Sequence, residues 1–134
     1  MNLVKIGNVR DGYLSFFESE KDVPFAIKRI YYIYDVPKGI VRGFHAHKKL
    51  SQLVICLNGK IKVTLDNGTA KEEILLDKAN EGLIIGDGQW RTMEFQEEGS
   101  ILMVAASEYY DENDYIRDYN EFIKLVETGY WKCK

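Results

Sequence analysis

Lys60-Ile61-Lys62-Val63-Thr64-Leu65-Asp66 alternates polar and apolar residues without a fault. Successive side chains of a strand point to opposite faces, so this heptapeptide is a strand with one buried face. Two Asn-Gly pairs bracket it, Asn58-Gly59 and Asn67-Gly68. Such pairs supply the positive backbone angles of tight hairpin turns, so a hairpin is expected on each side. Working outward, further strands are expected at Tyr13–Phe17, Phe25–Val36, Leu50–Leu57, Ala70–Leu76, Leu83–Ile85, Arg91–Phe95 and Ile101–Ala106. Leu50–Leu57 and Ile101–Ala106 are apolar on both faces, as strands inside a sandwich or closed barrel are. Many short strands without intervening helices exclude βαβ architectures. The chain reads as an all-β sandwich or barrel.

The period changes near the C-terminus. Tyr115, Ile116, Tyr119, Phe122, Ile123 and Val126 recur at helical spacing, with Arg117, Asp118, Glu121 and Lys124 opposite. A helix over about 112–127 is expected, capped by Asp111 or Asn113 and ended by Gly129. With no linker or repeat, residues 1–134 read as one domain, a barrel over about 1–108 followed by that helix. Of the 134 residues, 46% are apolar, enough to build a core without staples. The net charge of −3 and the lack of a basic block argue against a nucleic-acid surface. No apolar run reaches the roughly 18 residues of a membrane helix, and the first residues lack a signal-peptide pattern. Cys56 and Cys133 are too few for a disulfide framework and too far apart for a CxxC site. A cytoplasmic protein with reduced thiols is the expectation.

Chemistry concentrates in Arg42-Gly43-Phe44-His45-Ala46-His47-Lys48-Lys49, which holds both histidines of the chain. Two residues apart on a strand, their imidazoles share one face and enter one cavity. The plain alternative is a pair of unrelated, locally bonded histidines. His-x-His on a strand also suggests a metal. In small barrels of the cupin superfamily, a first motif continues with a glutamate, and a second motif adds a further histidine. This chain has the spacing: four residues separate His47 from Gln52, and six separate Gln52 from Gly59. The carboxylate is replaced by that glutamine, and the later histidine position, three after Gly88, holds Arg91. A divalent ion would lose its anionic ligand and face a permanent cation, so no metal is expected. The histidines are free for acid–base work.

Three stretches carry a closer resemblance: Pro24–Ile33 (PFAIKRIYYI), Arg42–Lys48 (RGFHAHK) and Ser107–Arg117 (SEYYDENDYIR). Across nearly the whole chain the sequence resembles the cupin-type sugar 3,4-ketoisomerases, also called WxcM-like sugar ketoisomerases. The resemblance implies a jelly-roll barrel acting on dTDP-4-keto-6-deoxyglucose, for 3-amino-sugars of surface glycans or antibiotics. It implies no cofactor, and a homodimer that exchanges N-terminal strands. It places the family's paired histidines on His45 and His47, with His47 the favoured base. Moving a ketone from carbon 4 to carbon 3 passes through an enediol, and a base titrating near neutrality both takes and returns the proton. His45 would relay a proton between the two oxygens. Arg42 and Tyr32 are candidates to hold the oxyanion, with Arg91 projecting in from the second motif. Gln52 and Trp90 would line the sugar and nucleotide ends. Arg29 reads equally well as a diphosphate contact or a solvated charge. Tyr109, Tyr110 and Tyr115 read as packing between helix and barrel.

Because both histidines approach from one wall, the proton would return to the face it left, giving a product in the galacto configuration. Galacto-type relatives carry Arg-Gly where this chain has Asp11-Gly12, so that support is partial. Two rivals stand beside this reading. A 3,5-epimerase on the same barrel would pair a histidine with an aspartate, and no such pair is obvious in the sequence. A non-catalytic ligand-binding cupin is the other.

Overall fold

The computed structural model describes residues 2–5, 7–9 and 13–132. Arg10, Asp11, Gly12 and Cys133 lie outside them. Twelve strands and one helix are described: β1 (Asn2–Lys5), β2 (Gly7–Val9), β3 (Leu14–Phe16), β4 (Arg29–Ile33), β5 (Val41–His47), β6 (Gln52–Asn58), β7 (Ile61–Asp66), β8 (Lys71–Leu76), β9 (Glu81–Ile85), β10 (Trp90–Phe95), β11 (Ile101–Ala106), β12 (Tyr115–Ile116) and α1 (Tyr119–Glu127). A first antiparallel sheet has the order β1-β9-β6-β11-β4, and a second has β12-β5-β10-β7-β8. β2 and β3 form a separate two-stranded antiparallel sheet. This is the expected all-β, cupin-type jelly roll with a C-terminal helix.

The alternation of the central strand does what its pattern requires. Ile61, Val63 and Leu65 point into the core, where they meet Val54, Cys56, Leu83, Ile85, Phe95, Leu102 and Val104 from the facing elements. Each such side chain contributes roughly 1.5–3 kcal/mol when fully buried. β11 coincides with its expected span. Phe25–Val36 forms strand only over Arg29–Ile33. Val23, Phe25 and Ile27 instead pack on the outside of the first sheet, against Leu53, Ile55 and Ala105.

The two Asn-Gly pairs do different jobs. Asn67-Gly68 makes the β7–β8 hairpin, with Gly68 at φ 94° and the Asn67 side chain accepting from the Thr69 and Ala70 N–H groups. Asn58-Gly59 joins β6 of the first sheet to β7 of the second, so it is a corner between sheets rather than a hairpin. Gly59 is required there, since a Cβ would lie 2.8 Å from the Ser100 backbone.

The helix is shorter than its pattern suggests. Residues Glu112–Asp114 form a 3-10 turn capped by Asp111, and Tyr115–Ile116 add a strand to β5. α1 starts only at Tyr119, with Asp118 as its cap. The backbone of Tyr115 and Ile116 gains sheet partners in this way, while Phe122 packs against Ala46 and Ile116 on the outside of the second sheet.

Candidate active site

A bulge sets the site. β5 pairs with β10 so that Arg91 opposes His45 and Thr92 opposes Gly43, leaving Phe44 as the extra residue. Gly43 and Phe44 both take positive φ, 102° and 57°. One inserted residue switches the parity of the strand. Arg42 and His45 therefore both line the same cavity, and Phe44 is turned outward. Gly43 is demanded by the geometry, because a Cβ would sit 2.8 Å from the Arg91 carbonyl oxygen.

That cavity has a volume of about 270 Å³ and lies between the sheets, with Tyr31 of β4 on one wall and His45 of β5 on the other. Arg29, Arg42 and Arg117 surround it. His47 is adjacent and fully buried, its ring 4.9 Å from that of His45. Tyr115 covers both imidazoles, with ring centroids 5.0 Å from His45 and 4.5 Å from His47. Its ring packs on the two histidines and Tyr110, not in the expected place between helix and barrel.

The His47 Nδ1–H donates to Asp114 Oδ2 at 3.1 Å. Asp114 is itself held by the backbone N–H groups of Lys49 (2.9 Å) and Leu50 (3.3 Å). This fixes the tautomer, so the Nε2 lone pair is free, and that buried atom has no hydrogen-bond partner. His45 Nδ1–H donates to the Gly43 carbonyl at 3.2 Å, which likewise leaves its Nε2 unprotonated. Burial and then Arg91 pull His45 down to about 4. Burial, then Arg91 and His45, also pull His47 down. Both rings are neutral bases at pH 7.

Tyr31 takes the place expected for Tyr32. On β4 it is Tyr31 that faces the barrel, while Tyr32 is 63% exposed and stacks beside Tyr34 at 5.8 Å. Alternation along one strand allows only one of two neighbours to face inward. Trp90 also lies elsewhere. It lines a larger cavity of about 420 Å³ on the outside of the second sheet, with Phe44 and Tyr119, away from both histidines. Its ring packs edge-on to Tyr119 and tilted to Phe122. Since Arg91 points inward, its neighbour must point outward.

Gln52 and Arg91 are 2% and 0% exposed and sit behind the cavity wall. The Arg91 Nη1 donates to Gln52 Oε1 at 2.6 Å, and Gln52 Nε2 donates to the Tyr31 hydroxyl at 2.9 Å. The positions at which a metal cupin carries ligands are therefore closed by a guanidinium bonded to an amide. This donor set does not fit a divalent cation.

Arg29 stacks on Tyr31 and Tyr110, at 5.1 and 5.6 Å, and its buried Nε and Nη2 have no hydrogen-bond partner. Arg117 lies 4.3 Å from the Tyr115 ring and pairs with Glu112 through two bonds of 2.7 and 3.0 Å. Sequence reasoning missed Asp114, Tyr31 and Arg117. The His–Asp pair that is not obvious in the sequence is His47 with Asp114, 67 residues apart.

Fold and site together define a cupin-type barrel whose metal-ligand positions hold an Arg–Gln pair beside two neutral histidines. A curated relative from Aneurinibacillus thermoaerophilus, a TDP-4-oxo-6-deoxy-alpha-D-glucose-3,4-oxoisomerase, is 47% identical over 126 residues, covering 94% of this chain and 90% of the relative. The sugar 3,4-ketoisomerase QdtA of Thermoanaerobacterium thermosaccharolyticum, solved in complex with TDP, superposes with a TM-score of 0.92 at 46% identity, covering 95% and 94% of the two chains. The WlaRB TDP-quinovose 3,4-ketoisomerase of Campylobacter jejuni gives 0.88 at 41%, covering 92% and 96%. The chain belongs to the FdtA family (WxcM-like, C-terminal), whose model matches residues 1–127.

Proposed function

We propose that the chain is a sugar-nucleotide 3,4-ketoisomerase that converts TDP-4-keto-6-deoxyglucose to the 3-keto isomer, for 3-amino-sugar synthesis. The observation that carries this is His47: buried, neutral, oriented by Asp114, with an unpartnered Nε2. Leaving such an atom unsatisfied costs about 1–3 kcal/mol, a cost that a proton-accepting role accounts for. His47 removes the carbon 3 proton, and the electron pair forms the enediolate. His45 moves the oxygen-bound proton from O3 to O4. Arg42 stabilises the oxyanion. Carbon 4 then takes a proton, and the ketone remains at carbon 3. Arg29 and Arg117 supply cations for the diphosphate, supported by the free Nε and Nη2 of Arg29.

The configuration at carbon 4 depends on which wall returns the proton. Return from the histidine wall gives the galacto product expected from the sequence. Tyr31 stands on the facing sheet, and burial, then Tyr115, push its phenol up, so it keeps its proton at neutral pH. A donor on the far wall favours the gluco product. We therefore assign the carbon 4 proton to Tyr31. The fresh product's NMR spectrum should show a large coupling between the hydrogens on carbons 4 and 5. A small coupling there would mean the galacto isomer and remove Tyr31 from this role.

A homodimer with exchanged N-terminal strands belongs to the same proposal. Leu14, Phe16, Ile30 and Tyr32 are exposed, and β1 and β4 are the two edges of the first sheet. Apolar surface and open edges of this kind call for a partner. Light scattering should give twice the chain mass at micromolar concentration, and the single-chain mass would refute the dimer.

A further inference from the structure

Arg91 is a buried cation that does not line the cavity, and a buried charge is costly unless it is used. Its hydrogen bonds show a use. Besides Gln52, it donates to the carbonyl of Gln89, from Nη2 at 2.9 Å and from Nε at 3.3 Å. A guanidinium has only donors, so the atom of Gln52 facing it must be the carbonyl oxygen. The amide cannot turn round without setting its NH2 against the guanidinium. Its NH2 group must therefore face the Tyr31 hydroxyl, which accepts that bond. Once Tyr31 accepts from Gln52, its own hydrogen is not used in the contact. The ring lines the cavity, and that hydrogen is left for whatever the cavity holds.

Resting on the ketoisomerase reading, we infer that Gln52 and Arg91 are positioning residues that hold the Tyr31 hydroxyl as a donor to the bound sugar. Arg91 sets the sense of the amide, the amide sets the sense of the phenol, and the phenol delivers the proton to carbon 4. The phenolate left behind keeps the Gln52 hydrogen bond until it is reprotonated, and the proton taken by His47 leaves to solvent. The two residues act only on the second half of the reaction, since the His47 side of the cavity has its own support in Asp114.

Gln52→Glu tests this with little change in shape. A glutamate still accepts from Arg91, so the buried cation keeps its partner, but its second oxygen now accepts the phenolic hydrogen and turns it from the cavity. A general acid contributes about 10²–10⁴-fold, so misdirecting it should lower kcat for isomerisation at least about 10-fold. KM should be unchanged, and deuterium exchange at carbon 3 of the substrate should stay within about threefold, because removal of that proton does not involve Tyr31. Tyr31→Phe should show the same split. If Gln52→Glu fails to fold, Gln52→Met removes the NH2 donor at similar volume and should show it instead. Unchanged isomerisation overturns the inference, and so does an equal loss of exchange and isomerisation in a folded variant. Wild-type protein that neither exchanges nor isomerises would defeat the underlying ketoisomerase reading instead.

Discussion

His47→Asn should remain folded and lose about 10²–10⁴-fold in turnover, the usual contribution of a general base. Asparagine fits the buried position and can still donate to Asp114 Oδ2, so the contact that ties β5 to the 3-10 turn is kept. What disappears is the ring nitrogen that takes the proton. Turnover is measured at saturating keto-sugar nucleotide, alongside a thermal melt. A folded variant with near wild-type turnover would place the base elsewhere, with His45 the next residue to test.

Asp114→Asn should cost about as much, up to about 10⁴-fold in kcat, through the tautomer of a residue it does not replace. Of the two backbone donors, the Lys49 N–H holds Oδ1 at 2.9 Å and the Leu50 N–H reaches Oδ2 only at 3.3 Å, so the shorter bond keeps its acceptor. The new amide must therefore set its oxygen there and its NH2 toward His47 Nδ1. That nitrogen becomes the acceptor, the proton moves to Nε2, and the base is lost. KM should change little, because Asp114 does not line the cavity. The split between kcat and KM is the readout. A variant with unchanged kcat would show that Asp114 only ties the turn to the barrel.

The strands with period-two patterns were legible because each side chain's burial is decided by its own position. β7 and β11 are such strands. The histidine pair was legible for the same reason, as both rings lie on one face of β5. Contacts between distant segments were not. Asp114 reaches His47 only because residues 115–116 pair with β5, and the helical spacing around them hid that strand. Tyr31 and Tyr32 are equivalent in sequence until the barrel sets which face of β4 is inside. Trp90 follows from Arg91 once the parity of β10 is known. The bulge at Phe44 lies next to Gly43, whose glycine was the available signal, yet a single glycine does not reveal that Arg42 and His45 face the same way.

The most direct test of the account is to incubate the protein with TDP-4-keto-6-deoxyglucose in deuterated water and locate the deuterium by NMR. Ketone migration through an enediolate predicts deuterium at carbon 3 of the recovered substrate and at carbon 4 of the 3-keto product, with carbon 5 still fully protonated. Deuterium at carbon 5 as well would mark an epimerase, and no incorporation at any carbon would leave only a binding protein; either result contradicts the account.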